Sequence, residues 1–293
     1  MKSLRAVQSD LALAVGSDKA AGICKQLANF RPGLPVIIGI HGLWNNAKAL
    51  AAATAELEAN VLLVSWPEKE GGRELATLTT ERILGQYGAI ARAVHAWRGE
   101  KPWGFGHSYG GLIVLRLNSQ GLLGRAVAVC PAPPAGCISF NPADLCTVGR
   151  SNWDAIKQLW AARPILISQD NFSYAFAGNS TPAEQREAYS SFAVPESPKL
   201  FQEIFFRPFA NRVDWSNQKG GRILLVAACD DRICPPRQIR KICRKFREAG
   251  ADVQYRLLSG THGILNEAGG KEVLRVSNEW FRSAVPIPRR KAG

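Results

Sequence analysis

A serine flanked by glycines lies between a strand-like run and an aliphatic run. Residues 103–114 read WGFGHSYGGLIV, and residues 106–110 have the form G-x-S-x-G around Ser108. Glycines two residues before and after a serine let a strand and a helix approach closely at a sharp turn, with the hydroxyl at its apex. An ordinary glycine-rich turn with a solvated serine has the same pattern. The motif therefore predicts a nucleophile only if the chain supplies partners for it.

The first partner that a serine needs is a base, because its hydroxyl is a weak nucleophile near neutral pH. The chain has four histidines. His107 adjoins the serine, so its side chain is expected to point away from the hydroxyl. His41 ends an early strand, and His95 lies on a predicted helix. His262 follows the last predicted strand, and α/β sheets carry functional groups at the carboxyl ends of their strands. His262 is therefore the candidate base.

The second partner is a carboxylate that orients the base, expected at another strand end between the serine and His262. Asp230 and Asp231 directly follow a predicted strand in the segment ILLVAACDDRICPP. The order Ser, Asp, His is the one expected for this type of sheet. We choose Asp231, because it begins the segment DRICP, with Asp230 as a solvated neighbour. The two residues are adjacent, and the choice between them stays open at this point.

Backbone N–H groups are expected to stabilise the negative charge that develops on a substrate's carbonyl oxygen. One donor is Tyr109, the residue after Ser108. The other is expected in the segment HGLWNN, which follows the first strong strand. Gly42 permits a tight backbone there, which aims the N–H of Leu43 at the pocket, and Trp44 is the second choice.

The elements that position these residues alternate along the chain. Short aliphatic or β-branched runs predict buried parallel strands at residues 36–40, 61–66, 103–106, 126–130, 223–229 and 253–258. Helices are predicted at residues 47–58, 79–97, 112–118, 236–249 and 269–281. This alternation predicts an α/β fold with a mostly parallel, twisted sheet and helices on both faces. The first thirty residues are expected to form an irregular edge hairpin.

The alternation is interrupted between residues 132 and 216. That stretch is rich in Pro, Phe, Trp, Asn and Ser, and short helices are predicted at residues 152–162, 182–189 and 198–205. Its length and aromatic content predict a helical lid over one end of the sheet, with residues 1–131 and 217–293 as the core. A structural layer without a gating role is the alternative. Trp44, Phe176 and Phe206 are candidates for an apolar substrate pocket.

Composition excludes several classes of protein. The chain is 46% hydrophobic and 21% charged, as in soluble globular proteins, and no apolar run approaches the roughly 20 residues that span a bilayer. The apolar stretch at residues 11–15 is too short for a secretory signal, so a cytoplasmic enzyme without stable membrane insertion is the default. The net charge is +13, but its basic residues are dispersed and no nucleic-acid motif is present. No nucleic-acid partner is predicted.

Two local features have simple interpretations. The basic clusters at residues 237–247 and 289–291 predict the solvated face of an amphipathic helix and a solvated tail. Seven cysteines without a C-x-x-C pair argue against a disulfide framework or a zinc site. Cys229 and Cys234 lie near the candidate site and are expected to be small buried residues. Neither a metal nor an organic cofactor is predicted.

In this order, the motifs HG, GHSYGG, DDRICP and GTHG within residues 39–263 resemble those of α/β-hydrolases. HGILNE, followed by EVL and Trp280, is similar to the bacterial lysophospholipase and monoacylglycerol-lipase branch. NFSYAF and YSSFAVPES resemble the lids of broadly annotated bacterial α/β-hydrolases. Two departures are a weak first hairpin and an alanine pair, Ala227 and Ala228, where the family usually has a glycine.

This resemblance implies an α/β-hydrolase fold and a serine hydrolase. Such an enzyme cleaves a small-molecule ester of an apolar acyl or alkyl group through an acyl-enzyme on Ser108. The same residues could serve thioester or C–C hydrolysis, perhydrolysis, or acyl transfer and cyclisation, because neither the fold nor the triad separates these reactions. A non-catalytic binding protein and a basic surface-binding protein are disfavoured, since all catalytic residue types are present and the charge is dispersed. The physiological substrate and the oligomeric state stay open.

Overall fold

A computed structural model describes residues 1–69, 73–138, 141–218 and 221–283. Its strands are β1 (Val36–Ile40), β2 (Asn60–Leu63), β3 (Trp103–His107), β4 (Ala126–Val129), β5 (Arg222–Ala228) and β6 (Asp252–Leu258). They form one sheet in the order β2-β1-β3-β4-β5-β6, and every neighbouring pair is parallel. The predicted parallel α/β architecture is confirmed, although β2 ends three residues earlier than predicted.

Helices surround this sheet. They are α1 (Leu4–Val15), α2 (Ser17–Ala28), α3 (Ala47–Thr54), α4 (Thr80–Arg98), α5 (Tyr109–Ser119), α6 (Pro142–Ser151), α7 (Trp153–Lys157), α8 (Gln169–Phe176), α9 (Pro182–Phe192), α10 (Pro198–Phe206), α11 (Pro236–Glu248) and α12 (Gly270–Arg282). Each predicted core helix is present, with its ends displaced by at most four residues. Within the described residues, none of these helices is long and apolar enough to cross a membrane.

The central strands read as unbroken apolar runs because both faces of the sheet are covered. Ile38 and Ile40 point into a core shared with α4, α5 and α11, whereas Ile37 points into a second core shared with α3 and α12. Every residue of β1, β4 and β5 is buried. The predicted amphipathic helix is α11, whose buried side carries Ile239, Ile242 and Phe246. The predicted solvated tail, residues 289–291, lies outside the described residues.

The N-terminal segment differs from the predicted edge hairpin. It forms α1 and α2, which pack on each other, and α1 also packs on α4. Gly16, with a φ of 84°, makes the turn between the two helices, in a region of backbone space that favours glycine. The buried residues recur at helical spacing: Val7, Leu11, Ala20, Ile23, Cys24 and Leu27. That spacing was present in the sequence and predicts helices.

Between β4 and β5 the described residues form five α-helices, α6–α10, where three were predicted. The helix predicted at residues 152–162 ends at Lys157, and α6 and α8 were not predicted. Side-chain caps begin both of these helices: Asn141 accepts hydrogen bonds from the first turn of α6, and Ser168 accepts one from Asn171 in α8. A third core, which includes Phe172 and Phe201, joins these helices to Trp44 after β1. We call residues 132–216 the helical insertion.

Candidate active site

Ser108 occupies the turn between β3 and α5. Its φ of 56° and ψ of −122° are unusual for a residue with a side chain, and such strain concentrates at functional sites. A Cβ atom on Gly106 would lie 2.3 Å from the carbonyl oxygen of Gly110, and one on Gly110 would lie 2.2 Å from the carbonyl oxygen of Ile40. Both glycines are therefore sterically required, and the strand–turn–helix context that the motif predicts is present.

Ser108, His262 and Asp231 form a continuous chain of hydrogen bonds. The distance from His262 Nε2 to Ser108 Oγ is 2.8 Å, and that from His262 Nδ1 to Asp231 Oδ2 is also 2.8 Å. All three side chains are buried. Because a carboxylate only accepts, Nδ1 carries the proton and Nε2 is free to accept the proton of the serine hydroxyl. The geometry can therefore activate the serine as a nucleophile.

Asp231 and its neighbour Asp230 have different environments. The second carboxylate oxygen of Asp231, Oδ1, accepts hydrogen bonds of 2.8 Å from the backbone N–H groups of Ile233 and Cys234. Burial by itself raises the pKa of Asp231, but the attraction of His262 and these hydrogen bonds outweigh it and hold the pKa below its usual value. Asp230 is exposed and accepts a hydrogen bond from Asn179. The structure thus brings Asp231, and not Asp230, to His262.

The other three histidines lie outside this chain. The Nε2–H of His107 donates to the backbone carbonyl of His262 at 2.7 Å. Burial, together with the nearby His262, lowers the pKa of His107 to about 3, so the ring is neutral at ordinary pH. His41 accepts a hydrogen bond from the N–H of Trp66 and stacks on its indole ring. His95 is exposed on α4.

The loop after β1 runs directly against the serine. A Cβ atom on Gly42 would lie 2.8 Å from Ser108 Cβ, so only glycine lets the loop approach this closely. The N–H of Trp44, the second-choice oxyanion donor, is already bonded to Glu196 Oε2 at 3.1 Å. Leu43 lines the cavity at the site, and Tyr109 is the first residue of α5, where helical N–H groups lack partners within the helix. These two N–H groups remain the candidates for the oxyanion hole.

Glu196 is a residue that sequence reasoning missed. It lies on the helical insertion, and its carboxylate forms a fully buried ion pair of 2.6 Å with Lys69. Burial lowers the pKa of Lys69, an effect that the charge of Glu196 opposes. The same carboxylate holds the N–H of Trp44, a residue with a φ of 56°. The insertion therefore anchors the loop beside the serine. Because Trp44 and Glu196 are 152 residues apart, no local motif predicts this contact.

A cavity of about 40 Å³ lies between the insertion and the carboxyl ends of the strands. Its lining is Leu43, Trp44, Asn45, His107, Phe172, Phe176, Ala177, Ser180, Ala188, Phe192, Gly263, Asn266 and Glu267. The Phe176 ring lies 5.2 Å from the His262 ring. Two of the three predicted pocket residues, Trp44 and Phe176, thus line a cavity at the site. Phe192 was not predicted to line the cavity, because α9 was predicted to end at residue 189 and extends to Phe192.

Phe206, the third predicted pocket residue, lies elsewhere. Its side chain is 59% exposed and stacks on Trp160, at 5.8 Å between ring centroids. The reason is helical geometry. α10 turns Phe201 inward against Trp44, and five residues later the helix has rotated by about 140° from that direction. The prediction that Phe206 lines the pocket was wrong. Cys229 also differs from prediction, since it is exposed, whereas Cys234 is buried.

Metal-ligating groups meet at one place among the described residues, where ligand atoms of Cys130, Asp231 and His262 lie within 4.8 Å of one another. The carboxylate of Asp231 already binds His262 and two backbone N–H groups, and Nε2 of His262 faces the serine. Burial raises the pKa of the Cys130 thiol well above its usual value, so the metal-binding thiolate is disfavoured. The donor set fits the hydrogen-bonded chain better than a metal centre.

Solved structures of other proteins share this fold. A monoacylglycerol lipase from Paleococcus ferrophilus has a TM-score of 0.61 and 21% identity over 85% of this chain and 95% of that chain. A soluble variant of Saccharomyces cerevisiae monoglyceride lipase, in complex with a substrate analog, has a TM-score of 0.65 and 16% identity over 86% and 89%. A mutant of tomato methylketone synthase I has a TM-score of 0.60 and 13% identity over 84% and 99%. At these identities the likeness concerns the fold.

No curated protein sequence matches the chain. The model of the alpha/beta hydrolase family matches residues 37–276, which include the serine turn, the loop of His262 and, apart from Val36, all six strands. This match spans most of the chain and agrees with the sheet order and with the chain of hydrogen bonds at Ser108. The chain therefore belongs to the alpha/beta hydrolase family.

Proposed function

We propose that this chain is a serine esterase that cleaves esters of apolar acyl or alkyl groups through an acyl-enzyme on Ser108. The observation that carries the proposal is the buried chain from Ser108 through His262 to Asp231, with both hydrogen bonds at 2.8 Å. A nucleophile, a base and an orienting carboxylate in this arrangement are the elements of acyl transfer to a serine. The family to which the chain belongs is consistent with a hydrolase.

The proposed reaction has two halves. In the first, His262 Nε2 accepts the proton of Ser108 as Oγ attacks the ester carbonyl, and the N–H groups of Leu43 and Tyr109 hold the developing oxyanion. His262 then protonates the departing alcohol, which leaves the acyl group on the serine. In the second half, His262 takes a proton from water as the water oxygen attacks the acyl-enzyme. His262 then returns this proton to Ser108 Oγ as the bond to the acyl group breaks and the acid is released. Asp231 stays ionised throughout and stabilises the imidazolium.

The preference for an apolar substrate rests on the walls of the cavity. Trp44, Phe172 and Phe176 line the cavity, and the Phe176 ring lies beside the imidazole of His262. Each methylene of a substrate that is buried against such walls contributes about 0.8 kcal/mol. Residues of the insertion form much of the wall of this cavity. We therefore propose that the helical insertion is a lid that moves when substrate binds, with residues 1–131 and 217–293 as the core. All seven cysteines are free, in keeping with the cytoplasmic location that we propose.

A fluorophosphonate probe and a series of nitrophenyl esters test the proposal. The probe should label the parent and not Ser108→Ala, and the variant should lose several powers of ten in ester hydrolysis with little change in melting temperature. Unchanged hydrolysis by Ser108→Ala would contradict the proposal. Product analysis with added alcohols separates hydrolysis from acyl transfer.

The acyl preference is tested separately, on a matched pair of phenylalanines in the insertion. Phe176→Ala should flatten the increase of kcat/KM with acyl chain length, because Phe176 lines the cavity beside His262. Phe206→Ala should keep the profile of the parent, because Phe206 lies on the surface. Equal effects of both variants would show that the cavity does not bind the acyl chain.

A further inference from the structure

The helical insertion carries a cluster of exposed aromatic side chains. Within the described residues, all the large aromatic side chains that are prominently exposed lie in the insertion: Trp153, Trp160, Phe205, Phe206 and Phe209. Trp160 and Phe209 are 78% and 79% exposed. Trp160 stacks on Phe206, and Phe205 and Phe209 are neighbours of Phe206 along the chain. We call Trp160, Phe205, Phe206 and Phe209 the aromatic patch.

The side chains of the aromatic patch do not belong to the protein core. α10 already buries an inner side, with Leu200 and Phe201 in the cores and Glu203 bonded to Thr80. The helix then continues to Phe205 and Phe206, which face solvent. Exposed aromatic side chains grouped in this way mark an interaction site, because covering them with a partner releases the free energy of apolar burial.

The charges around the patch are positive. The chain segments that carry it, residues 153–163 and 198–212, contain two acidic and five basic residues. The acidic residues, Asp154 and Glu203, are both buried and hydrogen-bonded. The basic residues are exposed or half-buried: Lys157, Arg163, Lys199, Arg207 and Arg212. Lys157 forms an ion pair with Asp154, and the first exposed acidic residues after the two segments are Asp170 and Asp214, the latter attracted to Arg212.

We infer that the aromatic patch docks on the surface of an anionic lipid membrane. Aromatic side chains favour the boundary between headgroups and acyl chains, and nearby Lys and Arg residues are attracted to anionic lipids. The net charge of +13 acts in the same direction. A second copy of the chain is a poorer partner, because a symmetric dimer through this face would bring the same basic residues against each other.

Docking through this face would place the membrane close to the candidate active site. The Phe201 ring, on the inner side of α10, lies 4.8 Å from the Trp44 ring. Glu203 of the same helix binds Thr80, whose hydroxyl contacts the Tyr109 hydroxyl at 2.5 Å. A single helix, about 10 Å across, therefore separates Phe205 and Phe206 from Trp44, which lines the cavity, and from the side chain of Tyr109, the residue after Ser108. Binding itself does not depend on the proposed esterase activity.

Co-sedimentation with lipid vesicles tests the inference. The 293-residue chain carrying Ser108→Ala, which should not turn over ester lipids, is mixed with phosphatidylcholine vesicles with or without phosphatidylglycerol. We expect binding to the vesicles that contain phosphatidylglycerol, and weaker binding as salt is added. Adding Trp160→Ser and Phe206→Ser should reduce the partition coefficient by about tenfold or more. Leu13→Ser is the matched control, because Leu13 is 93% exposed on α1, outside the patch, and should leave binding unchanged.

Three outcomes would overturn the inference. One is that the protein does not bind the phosphatidylglycerol vesicles. Another is that the variant with Trp160→Ser and Phe206→Ser binds as well as its parent while both have the same melting temperature. The last is that sedimentation without lipid shows a dimer that this variant loses, which would make a second copy the partner. Esterase assays on the chain with its serine intact report separately on the proposed function.

Discussion

Replacing Asp231 by asparagine is the sharpest test of the candidate site, because the structure specifies how the amide must sit. The Oδ1 atom of Asp231 accepts two backbone hydrogen bonds, from Ile233 and Cys234, both at 2.8 Å. An NH₂ group at that position would face two donors. The asparagine oxygen is therefore expected at the Oδ1 position, which places its NH₂ group against Nδ1 of His262.

That orientation reverses the hydrogen bond to the imidazole. Nδ1 of His262 must then accept from the amide, so the ring proton moves to Nε2, the nitrogen that lies 2.8 Å from Ser108 Oγ. Nε2 can no longer accept the serine proton. The same change of tautomer in a serine protease lowers kcat by about 10⁴, which corresponds to about 5.5 kcal/mol of transition-state stabilisation. We expect a loss of this order for Asp231→Asn.

The adjacent residue is the matched control. Asp230 is exposed, and its carboxylate accepts a hydrogen bond from Asn179 that an asparagine oxygen can also accept. We expect Asp230→Asn to keep kcat within about threefold of the parent, as surface substitutions usually change free energies by less than about 0.5 kcal/mol. The assay is kcat for a soluble nitrophenyl ester, with thermal melting of each variant. A loss below tenfold for folded Asp231→Asn, or a larger loss for Asp230→Asn, would refute the assignment.

Three further predictions concern stability, each measured by urea unfolding. Gly110→Ala should be destabilising by about 3 kcal/mol or more, because its Cβ would lie 2.2 Å from a backbone oxygen. The control Gly22→Ala should be neutral or stabilising, because a Cβ at Gly22 has open space in α2. Similar losses of stability in both variants would contradict the steric account. Glu196→Gln should lower the free energy of unfolding by about 3–5 kcal/mol, because it leaves Lys69 buried without its counter-ion. Adding Lys69→Met should restore much of this free energy. A double variant as unstable as Glu196→Gln alone would contradict the pairing. The pKa of folded His107 is about 3 and that of unfolded histidine is about 6.5, so only the unfolded state binds the proton between these values. The free energy of unfolding should therefore decrease as the pH is lowered from about 6.5 toward 3, by up to about 1.4 kcal/mol per pH unit. His107→Asn should make this decrease shallower, and an unchanged slope would assign the decrease to other groups.

Features that depend on local sterics and local burial could be predicted from the sequence. The turn at Ser108 was predictable because Gly106 avoids a clash with the backbone of Gly110 within the same turn, although Gly110 itself avoids a clash with the backbone of Ile40 on β1. The strands were predictable because a parallel sheet covered on both faces requires unbroken apolar runs. The same reasoning extends to α1 and α2, whose buried residues repeat at helical spacing, although the segment was predicted as a hairpin.

Features that depend on the direction of a side chain, or on partners distant in the chain, required the tertiary structure. Asp230 and Asp231 are equivalent in the sequence, and only the turn after β5 directs one of them toward His262. Phe176 and Phe206 are both aromatic residues of the insertion, but the packing of α10 turns Phe206 outward.

The contacts around the loop after β1 belong to the same class. Glu196 meets Lys69 across 127 residues, and the Nε2–H of His107 donates to a backbone carbonyl that no side-chain pattern encodes. The sequence by itself determined which residue types stand at the strand ends, because steric clash and apolar burial act along short stretches of chain. The tertiary structure decided which of those residues meet, because hydrogen bonds and ion pairs between distant residues depend on how the sheet and the insertion pack together.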